Sequence, residues 1–282
     1  MTPNQNIFMI ERALKKFTDA SMITDDLPLW SAPFGLRLLE EIECKTSMRV
    51  IDIGSGLGFP LLEIAMRLGD GSQVIGIDPS IEGVSLANRK TRLSSIPNAF
   101  LLLARGERIP FKDLTFDLVV SNNGLNNVQN LSRTLSECNR VSRKGAQFVF
   151  TMNTDRTFAR FYEVFRKTLY EMKLQEYLSF LSEHIRRKRI PLLHLENRLT
   201  SFGFKVQKVV DDKFSYRFAT GTAMMNHFLI RTAFLPSWRK ILPSEFRDDV
   251  FRRIEGELNE IAQMSGSLDM EVPFATFNCR KT

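Results

Sequence analysis

Two hydrophobic periods alternate along this chain. Short apolar runs rich in β-branched residues are separated by stretches whose apolar residues recur three and four apart. The runs at 48–53 (MRVIDI), 73–78 (QVIGID), 99–103 (AFLLL), 116–121 and 147–152 read as strands buried on both faces, as in a parallel sheet. The intervening stretches at 61–68, 82–94 and 131–141 read as amphipathic helices. Strand and helix in alternation predict an α/β, doubly wound sheet. A helix over 6–20, with Phe8, Ile10, Leu14 and Phe17 near one face, and a second helix opened by Pro33 precede the first strand. After the fifth strand, Phe158, Phe161, Phe165, Leu169 and Met172 mark one face of a helix over 157–177. Helices follow over 178–190 and 192–202, the latter stopped at Gly203. Strands are expected at 204–210 and 213–219, closing the core near 220–230. Residues 224–282 then form an elaboration: an apolar helix, a charged helix over 244–264 and an extended 271–279.

The first strand carries the chemistry. It runs into Asp52-Ile53-Gly54-Ser55-Gly56-Leu57-Gly58, and a helix follows. Glycine admits positive φ and lets the backbone approach a ligand, and a helix start offers unpaired N–H groups. A dinucleotide fingerprint needs its third glycine at 59, where this chain has Phe59; the third glycine falls at Gly58. An anion at Asp52 would repel a pyrophosphate but suits a cation. The second strand ends in Asp78-Pro79, and a carboxylate there can accept both hydroxyls of a ribose. Ser121 and Asn122 sit at the carboxyl end of the fourth strand, where open α/β sheets bind ligands.

The turn resembles motif I of the class I S-adenosylmethionine (SAM)-dependent methyltransferases, and Asp78-Pro79 resembles their second motif. A further resemblance spans Ile109-Pro110-Phe111-x-Asp113-x-x-Phe116-Asp117-Leu118-Val119-Val120-Ser121. It is nearest to the ubiquinone/menaquinone-biosynthesis branch. Gly124-Leu125-Asn126-Asn127-Val128 is similar to that branch's Gly-Leu-Arg-Asn-Val, and Arg140-Val141-Ser142-Arg143-Lys144-Gly145 partly matches its Arg-Val-Leu-Lys-Pro-Gly. The resemblance implies a Rossmann-like, seven-stranded, mostly parallel sheet with its last strand antiparallel and helical elaborations at both ends. It implies four parts: 1–46 covering the cofactor, a SAM-binding core at 47–155, a helical substrate-side insertion with the last core strands at 156–223, and a helical extension at 224–282. It also implies a cofactor site of Asp52, Gly54, Ser55, Gly56, Gly58, Asp78, Pro79, Arg105, Gly106, Glu107, Ser121 and Asn122, with Trp30 shielding the methionine end. Pro79 would pack on the adenine and the Gly106 N–H would serve its N1. One position departs: where the family has an Asp for the adenine amino group, this chain has Arg105, which has donors and no acceptor but can stack on the ring. Glu107 is either an acceptor for the ligand or a partner of Arg105.

Composition narrows the partners. The chain has 282 residues and a formal charge of +7. Residues 1–150 hold 17 Lys and Arg against 16 Asp and Glu, which leaves 22 against 16 for the rest, with 14 of the 23 Phe. A basic, Phe-rich second half suits a small-molecule acceptor that is anionic or partly apolar; nucleic acid is the less favoured partner. No apolar run is long enough to span a membrane, and the N-terminus lacks a secretory pattern. Cys44, Cys138 and Cys279 are scattered and read as reduced thiols, and no metal site is expected. The expectation is a cytoplasmic enzyme, monomer or homodimer, that moves a methyl from SAM to a small molecule and releases S-adenosylhomocysteine. The alternatives are RNA or protein methylation, or a SAM-binding module without catalysis. No catalytic residue is assigned; His184, His194, His227 and Tyr216 are candidates for a base. The run Arg186-Arg187-Lys188-Arg189 reads mostly as a solvated helix face.

Overall fold

The computed structural model describes residues 29–188, 192 and 195–282. In chain order the main elements of the first half are α1 (Ala32–Glu41), β1 (Arg49–Ile53), α2 (Leu61–Leu68), β2 (Gln73–Asp78), α3 (Ile81–Leu93), β3 (Ala99–Leu103), β4 (Phe116–Asn122), α4 (Leu131–Val141) and β5 (Ser142–Asn153). Then come α5 (Ala159–Glu171), α6 (Leu178–Lys188), α7 (Leu195–Ser201), β6 (Phe204–Phe218), α8 (Gly221–Asn226), α9 (Leu235–Arg239), α10 (Ser244–Ser265) and β7 (Leu268–Lys281). The predicted helix over 6–20 lies outside the described residues.

The chain divides into two compact units. One holds the residues up to Met152 with Asn197–Val209 and Thr276–Thr282; the other holds Asn153–Glu196 and Val210–Ala275. The seven strands are ordered β3-β2-β1-β4-β5-β7-β6. The pairs β1–β2, β1–β4, β2–β3 and β4–β5 are parallel, with Asp52 opposite Gly76 and Val120. β7 runs antiparallel to its neighbours. The Thr282 N–H donates to the Gly203 carbonyl, while Lys213 pairs with Glu271 and Arg217 with Asp269, so β6 numbering rises as β7 numbering falls.

In the first unit, Val50, Val74, Leu101, Leu118, Val120 and Val149 face α1, α2 and α3 and bury their side chains with Leu38, Leu61, Ile64 and Ala87. At about 1.5–3 kcal/mol for each large aliphatic side chain, this face fixes the strand register. Asp52 lies two residues beyond Val50 and so continues the same face.

The second unit has its own core. Trp238 is fully buried and stacks on Phe161 at 3.9 Å, and its Nε1–H donates to the Tyr162 hydroxyl at 3.0 Å. Phe158 and Phe234 pack against the same indole. Phe161, Phe165 and Leu169 are buried, as their spacing predicts.

The strand pattern at the end of the chain needs two corrections. The expected strands at 204–210 and 213–219 are one strand, β6, continuous through Asp211-Asp212. β6 is the edge of the sheet, and its alternating exposure tolerates the two acids. The last antiparallel strand is instead β7, from the stretch expected to lie outside the core. It inserts between β5 and β6, and Ala275, Thr276 and Phe277 are buried there. β5 also begins five residues earlier than its apolar run, because Ser142 still pairs with Phe116 across a register shift.

Candidate functional site

The carboxyl ends of β1, β2 and β4 lie side by side, and the glycine turn leaves from the first of them. The N–H groups of Gly54 and Ser55 both donate to the Ile77 carbonyl, at 2.9 and 3.1 Å. The turn is therefore held to β2 just past the strand. Gly54, Gly56 and Gly58 take φ of 79, 51 and 100°, which L side chains rarely adopt. That accounts for a third glycine at 58 rather than 59.

Asp78 closes the turn from the β2 side. Its Oδ2 accepts from the Gly56 N–H at 2.9 Å and its Oδ1 from the Ser80 N–H at 2.8 Å. Each oxygen keeps a second lone pair for a ligand. Across from it, Gly124 lies against Gly54. A Cβ at Gly124 would come within 2.5 Å of the Ile53 carbonyl oxygen and 2.8 Å of Ser121 Oγ. The backbone at 54 and 124 thus forms a floor that only glycine permits.

A cleft of about 390 Å³ opens above this floor. Of the expected site residues, Gly54, Asp78, Pro79, Arg105, Gly106 and Glu107 line it. Gly106 is packed so closely that a Cβ would lie 2.9 Å from Thr134 and 3.0 Å from Ile53. Glu107 has a contact that neither alternative named: its Oε1 accepts from the N–H groups of Gln129 and Asn130 at 2.7 and 3.1 Å. These bonds and the Arg105 charge hold its carboxyl below the usual range despite partial desolvation. Glu107 therefore fastens the segment after β4, whose Gly124, Asn127, Val128 and Gln129 form the opposite wall. The sequence reading assigned this segment no contact, although Gly124–Val128 carried the family pattern.

Other expected residues lie below or beside the cleft. Asp52 is fully buried, and neither carboxylate oxygen has a hydrogen-bond partner among the described residues. Burial in the apolar face, reinforced by the Asp78 charge, pushes its pKa up to about 8. Ser55 is also buried with its hydroxyl unpartnered there. Its Oγ stands where a Cβ on Gly76, the register partner of Asp52, would fall, 2.7 Å away. Both orphaned groups therefore lie on one face of the sheet under the turn. Ser121 Oγ donates to the Ile53 carbonyl at 2.8 Å, tying the ends of β1 and β4. Asn122 donates to the Ser31 carbonyl at 3.0 Å and accepts from Thr151, joining α1 to β4 and β5. Trp30 is not among the cleft-lining residues; it meets the buried Phe34 edge-on at 5.5 Å.

The motif at 109–140 proves to be a brace. Arg140 pairs with Asp113 at 2.8 Å and with Glu137 at 2.7 Å, and donates to the carbonyls of Ile109 and Phe111. It fixes the loop between β3 and β4 onto α4. The described candidate bases lie in the second unit. His184 lines a groove on α6, and His227 packs beside Tyr216 at 5.9 Å. Burial pushes the Tyr216 phenol up to about 12, so it stays protonated at neutral pH. His194 lies outside the described residues.

Residues 51–150 match the family model described as a methyltransferase domain. The matched stretch lies wholly within the first unit. The chain is similar to the demethylmenaquinone methyltransferase of Staphylococcus saprophyticus, 30% identical over 40% of this chain and 48% of that protein. It is also similar to a ubiquinone/menaquinone biosynthesis C-methyltransferase of Geotalea daltonii, 34% identical over 39% of this chain and 48% of that protein. The matched stretch spans about half the length of these relatives. Among solved structures, a putative methyltransferase from Bacillus halodurans shares the fold, with a TM-score of 0.58 at 15% identity over 88% of this chain and 98% of that one. All the cleft-lining residues of the site fall within the matched stretch.

Proposed function

We propose that the protein is a SAM-dependent methyltransferase acting on a small-molecule acceptor. The observation that carries this reading is Asp52, a buried carboxyl group without a hydrogen-bond partner among the described residues, beneath a three-glycine turn. An unsatisfied buried acid calls for an explanation, and a cationic ligand at the turn supplies one. A pyrophosphate would keep that acid protonated and gain no charge pairing from it. SAM supplies a methyl group already activated on a sulfonium.

The residues of this chain bind, orient and exclude water. Asp78 accepts from the ribose hydroxyls through the lone pairs its two backbone bonds leave open. The Gly106 N–H serves adenine N1, and Pro79 and the Arg105 guanidinium pack against the ring. Asp52 and Ser55 face the ammonium end from below. Gly54 and Gly124 let the backbone approach closely. Transfer to an activated acceptor needs chiefly alignment within ~3–3.5 Å and exclusion of water. A base is required only where the acceptor carries a firmly held proton. The names of the relatives make a quinone-type ring the first acceptor to try.

Calorimetry of the full chain with SAM, S-adenosylhomocysteine and NAD tests the reading. Micromolar binding of the first two and none of NAD is expected. Asp78→Ala should weaken SAM binding by about 1–3 kcal/mol through lost charge-assisted hydrogen bonds. Tighter binding of NAD than of SAM would overturn the proposal.

A further inference from the structure

The basic run of α6 is not explained by the methyltransferase reading, and the second unit places it beside exposed aromatic surface. Phe180, His184 and Arg187 lie three and four residues apart, on one face of α6. With Ser237, Lys240 and Ile241 from the end of α9 they line a groove of about 330 Å³. Phe180 is 59% exposed, a large apolar side chain at the surface. Tyr177 packs beside it at 6.1 Å and bridges to Phe246 at 6.0 Å, so three rings form one patch. The side chains of Arg186 and Arg187 are 73% and 76% exposed. Glu183 pairs with both at 2.7 Å, one guanidinium on each carboxylate oxygen. Lys240 on the facing wall adds a further positive charge, so the groove carries Arg187 and Lys240 against Glu183, with Arg186 beside it.

We propose that this patch is a peripheral docking site for an anionic lipid bilayer. A ring standing out among cations matches the boundary between acyl chains and anionic headgroups. The open groove between Arg187 and Lys240 has room for a headgroup phosphate. A protein partner would demand a broader covered face than one protruding ring and a small groove. Among the described residues no helix is long and apolar enough to cross a membrane, so this contact lies on the surface of the bilayer. The inference does not rest on the proposed methyl transfer, and its test contains no cofactor.

The full chain is sedimented with vesicles of phosphatidylcholine alone and with vesicles containing phosphatidylglycerol. Binding is expected only to the anionic vesicles and should fall as salt is raised. Arg187→Glu and Lys240→Glu should each weaken it by about 5-fold or more, from the usual contribution of one basic residue near an anionic surface. Phe180→Ser should weaken it by a similar factor through lost apolar burial. All three side chains sit at the surface, so melting temperatures should stay close to the parent's. No binding to anionic vesicles, or binding unchanged in all three variants, overturns the proposal. Equal affinity for a dispersed, short-chain phosphatidylglycerol below its micelle threshold also overturns it, in favour of a single-ligand pocket.

Discussion

Asp52→Asn separates a ligand-directed carboxylate from an incidental one. Asp52 has an ordinary pKa of 3.8 that rises to about 8 in the folded chain, first through burial and then through the charge of Asp78. Between those values the folded protein holds a proton that the unfolded chain has released. The unfolded state binds fewer protons, so stability falls as pH rises. From pH 5 to pH 8 the slope of 1.36 kcal/mol per unit gives about 4 kcal/mol as the ceiling. Above pH 8 this group contributes no further change. Asn has nearly the same shape and no titration, so the variant lacks the slope.

Urea unfolding of both proteins at pH 5, 6.5, 8 and 9 measures the difference directly. The wild type should lose stability against the variant from pH 5 to 8, and the gap should level off at pH 9. Parallel profiles would refute the argument that Asp52 is neutral in the free protein. The second readout is proton release. A cation near Asp52 favours the carboxylate, so SAM binding at pH 7 should release up to one proton from the wild type and none from the variant. Calorimetry in two buffers of different ionisation enthalpy reports that number.

Three further outcomes follow from the geometry. Gly124→Ala places a Cβ 2.5 Å from the Ile53 carbonyl oxygen; a stability loss of about 1–3 kcal/mol and weaker SAM binding are expected, read by thermal melting and titration. Glu107→Ala removes the acceptor for the Gln129 and Asn130 amides; amide exchange at those two positions should quicken, with about 1 kcal/mol lost. Trp238→Ala empties the buried centre of the second unit and removes a donor to the Tyr162 hydroxyl; about 3–5 kcal/mol should be lost in denaturant unfolding.

The first five strands and the glycine turn were legible because each fact is local. A parallel strand covered on both faces must be apolar, and a turn with three positive φ values must be rich in glycine. The pairing of β7 was not local. EVPFATFNC reads as extended, but nothing in it names β5 and β6 as its neighbours. The role of Glu107 was hidden for the same reason: its acceptors' donors lie more than twenty residues ahead, on backbone that every residue type carries. The wall at 124–129 was visible only as a pattern, since Asn127 and Gln129 bear no chemistry that marks them individually. Asp113 and Arg140 entered only as part of a family pattern, and their ion pair shows them to be a brace, because a pattern records that residues are required together and not what they do.

In the proposed site the two acids at the strand ends divide one task. Asp78 stands at the cleft, and its oxygens are already oriented by backbone N–H groups of its own turn and of the glycine turn. It needs little rearrangement to accept a pair of hydroxyls. Asp52 has no such partners, and its burial works against the stability of the free fold at neutral and high pH. An apolar residue at 52 would continue the face of Val50 and remove that penalty. A chain that keeps an acid there gives up stability for something the free protein does not display. The deficit is relieved when positive charge arrives at the turn, so the same burial that weakens the fold strengthens its attraction for a cation. On the proposed reading, selectivity against phosphate-bearing cofactors needs no additional residue: a cation at the turn draws Asp52 into its ionised form, whereas a pyrophosphate keeps it protonated and gains no charge pairing.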